Sequence, residues 1–94
     1  MKDYEGVFIV KANLTDEASQ KLVTLIEAEV SKKGGKVENV EKWGRKTLAY
    51  PITKEKEAVY YKLNFKVAPQ DMPDLRKIYR LNEGILRFMI LKKD

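Results

Sequence analysis

Apolar and polar positions alternate most strictly between Ala58 and Val67. Val59, Tyr61, Leu63, Phe65 and Val67 stand on one side of the chain, Tyr60, Lys62, Asn64 and Lys66 on the other. A period of two predicts an extended strand with one buried face. Tyr4 to Val10, rich in β-branched and aromatic residues, and Ile85 to Lys92 predict two more strands. Between the first strand and the middle of the chain the period lengthens, and Ala18, Leu22, Leu25, Ile26 and Val30 fall at helical spacing. Thr15 precedes this helix as an N-cap. Asp16 and Glu17 in its first turn and Lys32 and Lys33 at its far end carry the signs that suit the helix dipole. Gly34-Gly35 stops it. Val37 to about Tyr50 predicts a long strand, bent near Gly44, whose pairing Pro51 closes. Lys54-Glu55-Lys56-Glu57 reads as a solvated turn. Pro69 starts a second helix with Met72, Leu75, Ile78 and Tyr79 as its buried stripe, and Asn82-Glu83-Gly84 is a turn.

The resulting order is βαββαβ. Right-handed crossovers place both helices on one face of a four-stranded antiparallel sheet, an α+β, ferredoxin-like plan. The other face of the sheet is then open. With Tyr4, Phe8 and Val10 turned to the helices, Glu5, Val7 and Ile9 face out; with Leu86, Phe88 and Ile90 inward, Arg87, Met89 and Leu91 face out. Val7, Ile9, Tyr60, Met89 and Leu91 would make an apolar area bordered by Lys62, Lys66 and Arg87, the pattern of a partner site. Leu75 is expected against Leu63 and Phe65.

Ninety-four residues make one small domain, residues 1–94. The chain carries 19 Lys+Arg against 14 Asp+Glu, a net charge of +5. The excess is uneven: five basic and six acidic residues occur through Lys33, fourteen and eight from Gly34 onward. A basic bias confined to part of a surface suits a polyanionic partner. No stretch of about 18 apolar residues occurs, so no membrane span is expected. Met1-Lys2-Asp3-Tyr4 leads straight into a strand, so no signal peptide is expected either. His and Cys are both absent. Imidazole bases, thiol nucleophiles and the commonest metal ligands are therefore missing. Gly34-Gly35 follows a helix instead of opening one, unlike a phosphate-binding loop. No enzyme, cofactor, metal or small-molecule substrate is expected, and a cytoplasmic protein fits best.

The segment with most chemistry is Lys42-Trp43-Gly44-Arg45-Lys46-Thr47-Leu48-Ala49-Tyr50-Pro51-Ile52. Gly44 interrupts a strand pattern and marks a bulge that re-aims its neighbours. Those neighbours are Trp43, Arg45 and Lys46. Cations beside an aromatic suit a phosphate-rich surface. Charges that merely block strand addition at a sheet edge would look the same.

Over essentially its whole length, the chain resembles the bacterial ribosomal small-subunit protein six family. The resemblance rests on Lys2-Asp3-Tyr4-Glu5, Trp43 to Ile52, Ala68-Pro69-Gln70, and Arg80-Leu81-Asn82 with Arg87-Phe88-Met89; Gly44-Arg45-Lys46 followed by Leu48-Ala49-Tyr50-Pro51-Ile52 is its most specific part. It implies a ferredoxin-like fold, a place in the platform of the small subunit, and binding to small-subunit ribosomal RNA together with small-subunit ribosomal protein eighteen. By position, it carries RNA contact to Lys2, Tyr4, Arg45, Lys46, Tyr50, Arg80 and Arg87. It carries the protein partner to the second strand, at Glu41, Lys42, Trp43 and Lys46. Two departures stand out. Many members have a long polar tail where this chain stops at Lys92-Lys93-Asp94, and Thr47 stands where some have a further cation.

The same fold serves other functions. An RNA-recognition domain would show Lys/Arg-Gly-aromatic-Gly/Ala-Phe in its third strand. Ala58-Val59-Tyr60-Tyr61-Lys62-Leu63-Asn64-Phe65 lacks that pattern. An acylphosphatase would need an Arg in a glycine-rich loop after the first strand, where Lys11-Ala12-Asn13-Leu14 has neither. A small-ligand regulatory domain stays open, though it has no need of basic excess after Gly34.

Overall fold

The computed structural model describes residues 1–12, 15–52 and 55–93, with only the backbone for residues 16, 46–52, 55 and 56. Strand β1 (Lys2–Lys11) leads to helix α1 (Asp16–Lys32), then strands β2 (Lys36–Ile52) and β3 (Glu55–Val67). A short 3-10 turn (Pro69–Asp71), helix α2 (Met72–Arg80) and strand β4 (Ile85–Lys92) complete the βαββαβ order. The sheet is antiparallel in the order β2-β3-β1-β4, so β2 and β4 are its edges.

Local chemistry sets the helix ends. The Thr15 side chain accepts from the Ala18 backbone N–H at 3.0 Å, as an N-cap should. At the other end Gly34 takes φ +78°, the left-handed conformation that favours glycine, and its N–H donates to Ser31 O at 2.9 Å.

The core lies between the sheet and the two helices. Phe8, Val10, Leu63, Phe65 and Val67 from the strands meet Ile26 and Val30 from α1 and Leu75 and Tyr79 from α2, all at most 1 % exposed. The expected stripe of α2 is present, with Met72, Leu75 and Tyr79 buried and Ile78 packed beside them. On α1 the stripe is rotated from the expected one. Ser19, Leu22, Val23, Ile26 and Val30 form the seam, while Leu25 is 39 % exposed. At 3.6 residues per turn Leu25 sits roughly 120° from the middle of that seam. Ser19 is tolerated there because its hydroxyl bonds the Tyr61 hydroxyl at 2.6 Å. Tyr79 likewise donates its hydroxyl to Ile26 O at 2.8 Å, tying α2 to α1. Burial pushes its phenol well above the ordinary range.

Three other expectations need correction. Residues 55–57 belong to β3 instead of a solvated turn, so β2 and β3 form a long hairpin. Pro51 does not end β2, which continues to Ile52, paired with Glu55. Ile85, not Leu86, takes the buried place at the start of β4. The register slips between Ile9 and Val10, so Ile9 faces Arg87 and Val10 faces Ile85, with Leu86 as the extra residue.

Candidate nucleic-acid interface

One row of paired residues crosses the whole sheet: Arg87 on β4, Ile9 on β1, Tyr60 on β3 and Gly44 on β2. Arg45 pairs with Val59 and Lys46 with Ala58, one and two positions further toward the same end. Arg80, the last residue of α2, reaches this end too, since four residues join it to Ile85. Arg45, Lys46, Arg80 and Arg87 thus stand at the same end of the sheet, Arg45 and Lys46 on edge strand β2 and Arg87, with Arg80 nearby in sequence, on the opposite edge strand β4.

Gly44 makes the bulge expected of it. The register shifts between Lys42, opposite Tyr61, and Gly44, opposite Tyr60, leaving Trp43 as the extra residue. Gly44 takes φ +92°, where a side chain would be strained even though nothing lies within 4 Å of where its Cβ would be. Trp43 is consequently 46 % exposed on the edge strand. Next to it, the Arg45 guanidinium donates from Nη2 to Ala12 O at 3.1 Å and pairs from Nη1 with Glu57 at 3.3 Å. Arg45 therefore clasps the hairpin to the end of β1 as well as presenting charge.

Arg80 and Arg87 are exposed and line one groove together with Arg76. Sequence reasoning missed Arg76, although its i, i+4 spacing to Arg80 was a usable signal. Tyr4, expected to contact RNA, is buried in the core. It is 5 % exposed and its ring stacks on Phe65, centroids 5.8 Å apart. Lys2 opens β1 opposite Val67, seven positions from Ile9, or roughly 23 Å at about 3.3 Å per residue. It stands apart from the other cations. The side chains of Lys46 and Tyr50 lie outside the described residues.

The partner candidates Glu41, Lys42 and Trp43 are exposed along edge strand β2. On the open sheet face, Met89 and Leu91 are more than half exposed, with Val7, Ile9 and Tyr60 half-buried beside them. Two cations expected to border this area are already occupied. Lys62 sits 2.6 Å from Glu5 and 3.8 Å from Glu41; Lys66 lies 3.8 Å from Asp3 and 4.0 Å from Glu38. The Lys62 ammonium, by hydrogen bond and charge, holds the Glu5 carboxyl below its ordinary value, and Glu5 raises Lys62 in turn. The middle of the open face is thus an ion-paired network, not a cationic rim.

Fold and surface together define a ferredoxin-like α+β protein with a basic end suited to a polyanion. The family model of ribosomal protein S6 matches residues 3–92, and the chain belongs to that family. It is a family of small-subunit ribosomal proteins, not of enzymes. The small ribosomal subunit protein bS6 of Clostridium novyi is 38 % identical over 94 residues, covering 100 % of this chain and 99 % of the relative. That of Heliobacterium modesticaldum is also 38 % identical, covering 100 % and 98 %. The crystal structure of 30S ribosomal protein S6 from Thermotoga maritima superimposes with a TM-score of 0.91 at 28 % identity, covering 98 % of this chain and 87 % of that one. The C-terminal domain of the MgtC protein from Mycobacterium tuberculosis, at 12 % identity and a TM-score of 0.66, shares the fold alone.

Proposed function

We propose that this chain is a structural component of the small ribosomal subunit, acting on the ribosome in the cytoplasm. There it binds small-subunit ribosomal RNA together with small-subunit ribosomal protein eighteen and stabilises the platform during assembly. The observation that supports the RNA half is the pair of exposed arginines, Arg80 and Arg87, that line one groove at the end of the sheet where Arg45 stands on the opposite edge strand. Guanidinium and ammonium contacts to phosphates fix a protein on folded RNA without reading much sequence. The shape of the RNA backbone then supplies selectivity. The partner half is supported by the exposed edge strand β2, whose Glu41, Lys42 and Trp43 offer charge and aromatic area beside one another. A partner sharing the RNA site adds buried surface and makes the two binding events cooperative.

Binding of a small-subunit ribosomal RNA fragment, with and without protein eighteen, tests both halves. The chain with its partner should bind more tightly than the chain alone. Arg45→Ala plus Lys46→Ala should reduce the slope of log affinity against log salt by about 0.7–0.9 for each phosphate the variant no longer neutralises. An unchanged slope removes these residues from the RNA site, and equal affinity with and without protein eighteen removes the cooperation.

A further inference from the structure

A groove of ≈ 310 Å³ runs beside edge strand β4 at the end of α2, walled by Arg76, Arg80, Ile85, Leu86, Arg87 and Phe88. No carboxylate among the described residues lines it. Among the described residues, no ion pair takes up Arg76, Arg80 or Arg87, whereas Lys33, Arg45, Lys62 and Lys66 all have carboxylate partners. Three guanidiniums without a counter-charge, set against a partly apolar wall, concentrate positive potential in a concave place where field lines focus.

Arg76 differs from the other two. It is half-buried, and its Nη2 donates to Ile90 O at 3.1 Å. That bond fixes the plane of the guanidinium and leaves its remaining N–H groups for a ligand. It also occupies a carbonyl of the β4 edge, which an added peptide strand would need for its ladder. The groove therefore offers side-chain donors more than a backbone to pair with, which favours a phosphate over an extended peptide. Arg87, beside the Leu86 bulge, lines the same groove as Arg76 and Arg80, although Arg87 belongs to the sheet and the others to a helix.

We propose that this groove is a binding site for RNA phosphodiester groups. Arg76 is its pre-positioned guanidinium, and Arg80 and Arg87 are the exposed ones that complete it. The inference rests on the ribosomal RNA reading above and adds to it a groove and a residue, Arg76, that the resemblance did not supply.

The test measures binding of a small-subunit ribosomal RNA fragment, with protein eighteen present throughout, over a salt series for wild type, Arg76→Ala and Arg76→Lys. Arg76→Ala should weaken binding and reduce the salt slope by about 0.7–0.9. Arg76→Lys should keep the slope but not the full affinity, because an ammonium lacks the planar fork that serves Ile90 O and a phosphate together. Wild type that fails to bind the fragment defeats the ribosomal RNA reading itself. Wild type that binds, with Arg76→Ala equal to it in affinity and slope, defeats the groove alone. A measurement independent of variant folding follows the arginine side-chain N–H resonances of wild type during titration with inorganic phosphate. Saturable shifts at Arg76, Arg80 and Arg87 support the site and their absence overturns it. Equal or larger shifts with a poly-glutamate peptide overturn the RNA assignment in favour of a carboxylate-rich protein segment.

Discussion

Two glycines show how different reasons can demand the same residue. Gly44 is required by its backbone, at φ +92° with open space around it. Gly35 is required by its neighbours, since a Cβ there would overlap Lys66 O and stand 2.9 Å from a Val30 methyl. Gly44→Ala should cost about 1–2 kcal/mol, the ordinary penalty for a side chain in that conformation. Gly35→Ala should cost more, because backbone and not a flexible side chain must give way. Urea denaturation of the two variants decides it, and the reverse order of stabilities would refute the distinction. Leu75, 0 % exposed between sheet and helix, belongs to the ordinary core. Leu75→Ala should lose about 2–5 kcal/mol through transfer energy and the cavity it opens. In a protein of this size that is a large share of the total stability.

At the scale of elements, the two edge strands are protected in different ways. On β4, the Arg76 guanidinium occupies Ile90 O. On β2, protection comes from charged side chains, Glu41 and Lys42 beside the Trp43 bulge. Replacing charge by an apolar β-branched residue on an edge invites another copy to add its strand. Glu41→Ala plus Lys42→Ile should therefore raise the average mass in sedimentation as concentration increases, while the fold persists. The same variant should bind protein eighteen more weakly, if that surface serves both solubility and recognition. A variant that stays monomeric and binds normally would move the partner surface to the open face around Val7, Ile9 and Met89.

At the scale of the whole molecule, ion pairs join elements distant in sequence. Lys33, just past α1, pairs with Asp74 in α2. Lys62 in β3 bridges Glu5 in β1 and Glu41 in β2. The hydrogen bond from Lys33 holds the Asp74 carboxyl below its ordinary value of 3.8, and that from Lys62 holds Glu5 below 4.5. A carboxyl depressed in the folded state lends stability above its unfolded pKa and loses it as pH falls through the folded one. Stability should therefore decline as pH drops from about 4.5 through the region below 3.8. Lys33 and Lys62 are raised above 10.5, so their contribution is complete below that value and disappears as pH rises beyond it. Asp74→Asn should flatten the acid limb of the urea midpoint against pH. An acid limb identical to wild type would show that the Lys33–Asp74 pair carries no linkage.

The sequence by itself determined the βαββαβ order, the Thr15 cap, the Gly44 bulge, the inward face of β3 and the stripe of α2. Each of these depends on residues near one another in the chain: a period of two or 3.6, or one residue's backbone preference. The basic excess after Gly34 was legible for the same reason, as composition. Only the tertiary structure decided which charges remain available. Lys62 and Lys66 have carboxylate partners on neighbouring strands, Arg45 is held by Ala12 O and Glu57, and Tyr4 is drawn into the core against Phe65. The α1 seam shifted from Leu25 to Val23 and Ser19, because the sheet beneath offers Tyr61 as a partner for the Ser19 hydroxyl. The Leu86 bulge and the arginine groove beside it were equally out of reach. Both arise from how β4 registers against β1 and where α2 ends above it, and strand register is a relation between distant segments that local pattern does not encode.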